Sequence, residues 1–279
     1  MAYLELKNIS YTYPLADEPS IKNVNLILEK GKVYAILGAN GSGKTTLCNI
    51  IRRFAPDFFK GELEGEILLE KKALDEYSLG ELSYKMGYVF QNPFNQISGA
   101  RDNVFEEIAY GLENFGVEIE EIKKRVEEIM VLTNTDFLRD KNPFELSGGQ
   151  QQRVAFASVL VLNPDILIID EPTSQLDPKE TERVFDIISQ LKEMEKTILL
   201  VEHKSDLLAE YADEVIVLHN GQIIRQGEKH EIMSDLSLQE FGIQLPLASI
   251  LAKRLKENGV PISGECVTIE EVKRQLGGI

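Results

Sequence analysis

Nine residues, GANGSGKTT from Gly38 to Thr46, have the composition and spacing of a loop that grips phosphate. They follow the wholly apolar run Val33–Leu37 and precede the apolar stretch LCNIIRRF, so the loop joins a buried strand to a helix. Glycines there let backbone N–H groups turn toward phosphate oxygens, and the helix start adds partial positive charge. Lys44 is placed to reach the β and γ phosphates, and Thr45 to hold Mg²⁺. A second chemical pair, Asp170 and Glu171, closes the segment DILIID. An apolar strand that ends in an acid puts it at the carboxyl edge of a parallel sheet, where such sheets bind ligands. Asp170 would meet Mg²⁺ through its water shell. Glu171 would polarise an attacking water, a role worth roughly 10²–10⁴-fold. Alone, an Asp-Glu pair is a solvated loop start; beside a lysine loop it has the composition of a nucleotide hydrolase.

Other residues say less by themselves. His203 ends the segment TILLVEH and on its type alone suits a hydrogen-bonded structural role. Gln91, directly after MGYVF, is a polar loop residue, and Tyr13 is a candidate core tyrosine. The stretch LSGGQQQR, Leu146–Arg153, poses a question. It is a second glycine-rich helix start with a serine and no lysine, and one bound triphosphate hardly needs both.

The elements that must position these residues follow from periodicity. Residues 3–9 and 21–28 alternate like half-buried strands suited to antiparallel pairing. Val33–Leu37 is a strand buried on both faces, and residues 66–69 and 86–90 are further strands. Between about 100 and 163 the pattern is helical, with Ile119, Ile122, Val126, Ile129 and Met130 on one apolar stripe. Buried strands return at 165–170 and 197–203, each followed by a helix, the first near 178–194. DEVIVLH and QIIRQG flank Asn220–Gly221, a strong hairpin signal. The tail holds the helix LASILAKRLKENG and a shorter one, TIEEVKRQL. These predict a parallel α/β core split by a helical insert and flanked by antiparallel strands.

Composition limits the function. The chain has 279 residues and a formal net charge of −16, which argues against a large nucleic-acid footprint. MAYLELKNIS lacks the basic start and long apolar run of a signal peptide, and no stretch is long and apolar enough to span a bilayer. A membrane role would therefore pass through a partner. Cys48 and Cys266 show neither disulfide nor metal spacing and read as ordinary thiols of a reducing compartment.

Tyr13, GANGSGKTT, Gln91, LSGGQ, ILIIDEP, SQLD (Ser174–Asp177) and His203 occur in the order of an ABC-type ATPase, which the chain resembles from residue 3 to about 230. The resemblance implies a P-loop NTPase core with an antiparallel β subdomain, an inserted α-helical subdomain and a small carboxy-terminal extension. It implies ATP and Mg²⁺ as cofactors. Tyr13 would stack on adenine, and Gly38, Asn40, Gly41, Ser42, Gly43, Lys44, Thr45 and Thr46 would cradle the phosphates. Thr45, Gln91 and Asp170 would serve Mg²⁺, Gln91 sensing the γ-phosphate as well, and Glu171 and His203 would be catalytic. Ser147, Gly148, Gly149 and Gln150 would cap the ATP of an opposing subunit, with Asp177 in the loop that signals between the two. That answers the LSGGQQQR question, because each chain supplies half of two sites. Gln175 stands where Ala is commoner in the family.

Within the family, FQNPFNQ (Phe90–Gln96), the following EEIAYGLENFG and the tail resemble the ATPases of energy-coupling factor (ECF) importers of vitamins and transition metals. Partners implied are a second ATPase, identical or paralogous, a transmembrane scaffold and a substrate-binding membrane subunit, with no nucleic acid. The place implied is the cytoplasmic face of a membrane. Pro93, Phe94 and Ile97 in the loop after Gln91 would be available to a helix of the membrane partner. The expected division is core at 1–91 and 164–235, helical subdomain at 92–163 and extension at 236–279, which the resemblance implies to be a dimer contact. A soluble ABC ATPase, for example in iron–sulfur cluster assembly, is the alternative. A non-hydrolysing regulator is disfavoured by an intact Glu171 and His203.

Overall fold

The computed structural model describes residues 2–277, so Met1 of the first expected segment and residues 278–279 of the extension lie outside the described residues. The chain packs as two compact units, one formed by the residues up to Glu76 together with Leu199 onward, the other by Tyr77–Ile198.

The first unit opens with β1 (Ala2–Thr12) and β2 (Ile21–Glu29), paired antiparallel. In β2 the alternation buries Val24, Leu26 and Leu28 and leaves Asn23, Asn25 and Ile27 outside, as a half-buried strand requires. β3 (Val33–Leu37) is buried throughout and delivers the glycine loop to α1 (Lys44–Ile51). After the short turn α2 (Phe54–Asp57) come β4 (Glu62–Leu69) and β5 (Lys72–Ala73). They complete a four-stranded sheet of order β2-β1-β4-β5.

In the second unit, α3 (Leu79–Lys85) leads into β6 (Met86–Val89). Three helices follow, α4 (Val104–Asn114), α5 (Ile119–Leu132) and α6 (Gly148–Leu160). Then β7 (Ile166–Asp170) pairs in parallel with β6, Met86 opposite Ile166 and Val89 opposite Ile169, and α7 (Pro178–Glu193) closes the unit. Val104, Ile108 and Leu112 of α4 meet Ile122, Val126 and Met130 of α5 and Val154 of α6 in one apolar core. Ile119 departs from the expected stripe and is 69% exposed. It is the first residue of α5, and the buried stripe starts one turn later at Ile122.

β8 (Thr197–Val201) carries the chain back to the first unit. There α8 (Ser205–Tyr211) precedes β9 (Glu214–His219), which runs parallel to β3. β10 (Gln222–Glu228) folds back antiparallel on β9. Asn220 and Gly221 both take positive φ, 48° and 78°, the conformation that matches a tight hairpin to strand twist. After α9 (Lys229–Met233), the helices α10 (Leu247–Glu257) and α11 (Ile269–Leu276) form the tail. Ala248, Ala252, Ile262, Cys266 and Val272 give this tail a small core of its own. Cys48 and Cys266 are free and buried. No helix among the described residues is long and apolar enough to cross a membrane.

Candidate active site

In the first unit the glycine loop is shaped by three glycines, held there by close contact or by a positive φ. A side chain on Gly38 would put Cβ 2.3 Å from Ser42 Oγ and 2.7 Å from the Leu218 carbonyl oxygen. Gly41 and Gly43 sit at φ of 78° and 106°, where L side chains are strained, and a Cβ on Gly43 would meet Ile21 Cδ1 at 2.9 Å. The loop therefore keeps its backbone bare. α1 begins at Lys44 without a side-chain cap on Gly43, so the loop presents backbone N–H groups and a helix start together. Lys44 is only 6% exposed and folds back, its Nζ donating to the carbonyls of Gly38 at 2.9 Å and Ala39 at 3.2 Å. Ser42 Oγ is buried with no hydrogen-bond partner. A buried ammonium, an orphaned hydroxyl and a bare helix start fit a polyphosphate. Thr45 and Asn40 are exposed beside them. Thr46 is half-buried, and its Oγ1 lies 3.3 Å from the Tyr13 hydroxyl. The Tyr13 ring packs edge-on against Tyr11, with centroids 4.9 Å apart. His203, also in this unit, is exposed just after β8, and its carbonyl accepts from Ser205 N at 3.0 Å.

The second unit gathers the acids. Asp170 is the last residue of β7 and 5% exposed, and its Oδ2 accepts a 3.1 Å hydrogen bond from the Tyr88 hydroxyl. Glu171 takes a left-handed φ of 47°, which turns the chain sharply at the end of the strand. Its Oε2 accepts from Gln91 Nε2 at 2.8 Å, so two residues 80 positions apart meet where β6 and β7 end side by side. Such a carboxylate, oriented by a neutral amide, is suited to polarise water.

Ser147, Gly148, Gly149 and Gln150 form the start of α6. Ser147 Oγ accepts from Gln150 N at 3.4 Å while Gln150 Oε1 accepts from Ser147 N at 3.1 Å, a capping box. Gly149 has a local reason to be glycine, since a Cβ there would come within 2.5 Å of the Glu180 side chain. Asp177 caps α7 by accepting from Glu180 N at 2.9 Å. In the loop after Gln91, Phe94 is 55% exposed and its ring stacks on Phe144 with centroids 6.4 Å apart. Ile97, expected to be available beside it, is 7% exposed, and Pro93 is buried as well. The loop turns inward because the buried carboxylate of Glu107 accepts from Ser98 N at 2.6 Å and Ser98 Oγ at 2.9 Å.

Two side chains make contacts that have no sequence signal of their own. Tyr88 looks like any apolar residue of a buried strand, yet its hydroxyl holds Asp170. Glu180 looks like a solvated helix residue, yet it packs on Gly149 and pairs with Arg153, Nε to Oε2 3.3 Å.

The ABC transporter family model matches residues 21–174. The energy-coupling factor transporter ATP-binding protein EcfA2 of Clostridium tetani is 35% identical, the match covering 98% of this chain and 96% of that protein. The energy-coupling factor transporter ATP-binding protein EcfA of Enterococcus faecium is 37% identical over 96% of this chain and 95% of its own length. Among solved structures, cbiO1 of Clostridium perfringens, part of the ABC transporter complex cbiONQ, superposes with a TM-score of 0.74 at 32% identity. That superposition covers 90% of this chain and 99% of the other.

Proposed function

Because the chain belongs to the ABC transporter ATPase family, whose members couple ATP hydrolysis to transport, we propose that it drives an ECF-type importer by closing as an ATP-sandwiched dimer. In this reading Gly38, Asn40, Gly41, Ser42, Gly43, Lys44, Thr45 and Thr46 bind the phosphates, and Tyr13 packs on the adenine beside Thr46. Thr45, Asp170 and Gln91 are the groups that would hold Mg²⁺, which neutralises charge developing on the phosphates. Glu171 orients the attacking water, and His203 contacts the γ-phosphate. One contact carries the hydrolytic part, the 2.8 Å bond from Gln91 to Glu171. It ties the proposed γ-phosphate sensor to the proposed base, so a Gln91 drawn to the metal leaves the Glu171 carboxylate to water.

The start of α6 serves a second ATPase subunit, identical or paralogous. Ser147 to Gln150 face that subunit's ATP, and Asp177 relays between the two. Membrane subunits, a scaffold and a binder of vitamin or transition-metal cargo, complete the importer and hold this chain at the cytoplasmic face. The exposed Phe94–Phe144 pair is the apolar surface that we assign to the scaffold. Relatives named for energy-coupling factor transport favour this over a soluble role such as iron–sulfur cluster assembly.

Glu171→Gln tests the mechanism. Hydrolysis should fall by roughly 10²–10⁴-fold while Mg·ATP still binds, and gel filtration with Mg·ATP should show a dimer that the wild type does not accumulate. Hydrolysis at the wild-type rate would remove Glu171 from this role. Purification from solubilised membranes should retain a polytopic partner, and recovery from the soluble fraction alone would count against the importer.

A further inference from the structure

The tail of the chain returns to the phosphate loop. A cavity of about 240 Å³ lies in the first unit, bordered by Gly38, Ala39 and Asn40 of the loop, by Glu202 and His203, and by Gly242, Ile243 and Gln244 from the segment that leads into α10. Several contacts fix that segment in place. Gly242 ends a helical turn at φ 74°, and a methyl group on it would stand 3.6 Å from the Ala39 side chain, so the tail crosses directly over the loop. The Phe241 ring packs edge-on to His219 with centroids 5.1 Å apart. The Leu247 amide at the start of α10 donates to Asp206 Oδ1 at 2.8 Å, three residues beyond His203. The N-cap of α10 is Pro246, which offers no side-chain cap, so Asp206 satisfies one of the helix's open N–H groups from outside. Ile243 and Leu245 are 4% and 5% exposed. Gln244 between them is exposed and borders the cavity together with Ile243, which leaves a polar side chain free at its edge.

We infer that Gln244 is a further nucleotide-contacting residue, whose side-chain amide donates to the γ-phosphate end of ATP beside His203. The inference rests on the nucleotide reading above. Tyr13 and Thr46 meet at one end of the loop, and Asn40 and His203 border the cavity; on the nucleotide reading the first pair lies at the base and the second at the γ-phosphate. Gln244 carries two N–H donors and no charge, so it can bond a phosphate oxygen without competing with Lys44 for the anion. ATP would thereby draw on the tail as well as the core, and ADP would not.

The test uses the full chain with Mg²⁺ and either a non-hydrolysable ATP analogue or ADP, binding being measured by titration calorimetry. Gln244→Ala should weaken the ATP analogue by about tenfold, the size of a lost hydrogen bond to a charged group. Gln244→Glu, which sets a like charge against the γ-phosphate, should weaken it by about tenfold or more. Both variants should bind ADP within about twofold of wild type. Gln244 is exposed, so neither variant should lower the melting temperature, and this is checked alongside. Unchanged affinity for the analogue in both variants overturns the inference. An equal loss for the analogue and ADP also overturns it, because a γ-phosphate contact cannot weaken ADP. Lys44→Ala is measured in parallel. If it still binds both nucleotides like wild type, the nucleotide reading falls and takes Gln244 with it; if it loses them, the Gln244 result stands on its own.

Discussion

The chain has two glycine-rich helix starts that look alike in sequence and are built in opposite ways. At the first, Gly38–Thr46, the glycines are conformational necessities at φ of 78° and 106°, a lysine is buried beneath them, and no side chain caps α1. At the second, Ser147–Gln150, neither glycine needs a left-handed backbone, and Ser147 and Gln150 cap each other. The first start leaves its N–H groups for an anion, and the second already satisfies part of its own. Glycine thus means different things at the two places. Gly43 is there for backbone shape and Gly149 for the space taken by Glu180. A primary nucleotide cradle has to hold phosphate alone. A capped start with one bare glycine, Gly148, which has nothing within 4 Å of a built Cβ, suits a surface that closes later on something already bound.

The largest expected effects separate the two starts by function. Lys44→Ala should lower ATP affinity by about a hundredfold, since it removes a buried cation that would make charge-assisted bonds to phosphate. Ser147→Phe should leave binding to its own chain within about twofold yet abolish hydrolysis by blocking closure. If the chain works as a homodimer, mixing the two variants under subunit exchange should restore activity at one composite site. A Ser147→Phe chain that binds ATP as poorly as Lys44→Ala would erase the functional contrast between the starts.

Next in size are the glycines themselves, read through stability. Gly43→Ala forces a side chain into a left-handed backbone against Ile21 and should cost about 1–3 kcal/mol. No single truncation nearby should recover it. Gly149→Ala should be destabilising by about 1–2 kcal/mol, because Glu180 must move and its pairs with Arg153 and Arg183 are disturbed. That cost should couple to position 180. A double-mutant cycle of Gly149→Ala with Glu180→Ala should be non-additive by about 1 kcal/mol. Additive denaturation energies would mean that the glycine is not there to make room for Glu180.

The first of these starts was plain in the sequence because its spacing and neighbours are local: a wholly apolar run, nine loop residues and an apolar helix are contiguous. Strands β3, β7 and β8 were legible for the same reason, each being an apolar run that stops at a chemical residue or glycine. What could not be read lies between residues far apart. The hydroxyl of Tyr88 on Asp170, the side chain of Glu180 against Gly149, and Gln244 beside the phosphate loop all depend on tertiary placement. Periodicity also missed Ile119, because it names a face but not where along the chain that face becomes covered, and nothing local to Ile97 shows that Glu107 turns its loop inward. The tail read as two helices resembling a dimer contact, and its approach to Ala39 has no local signature.

The smallest expected effect concerns a third helix start, which sharpens what capping does. α11 opens with a capping box like that of α6, Thr268 with Glu271, but here the third residue ionises where Gln150 does not. Glu271 Oε2 accepts from the amides of Val267 and Thr268, and its Oε1 lies 2.8 Å from His230 Nε2. His230 Nδ1 meets Glu228 Oε1 at 2.7 Å, so one imidazole sits between two carboxylates, with Glu231 and Lys229 as its charged neighbours on α9. Burial opposes the charged imidazolium, but the bonds and charges of Glu271 and Glu228 outweigh it and hold the His230 pKa above its ordinary 6.5. Burial likewise pushes Glu271 up, and the bonds from His230, Val267 and Thr268 outweigh it and bring the carboxyl down to about 2. The raised histidine contributes stability that is full below about 6.5 and is lost as pH rises through its folded value. The depressed glutamate contributes above about 4.5 and loses it as pH falls toward 2. Anchoring of α11 should therefore be strongest between about 4.5 and 6.5 and weaken on either side, by less than about 1 kcal/mol because the groups are partly solvated. Hydrogen exchange, corrected for intrinsic rates, should show α11 protection falling relative to α6 as the solution is made alkaline. His230→Gln should flatten that dependence. If protection of α6 and α11 shifts in step with pH, the ionisable cap is not what sets the behaviour of the tail.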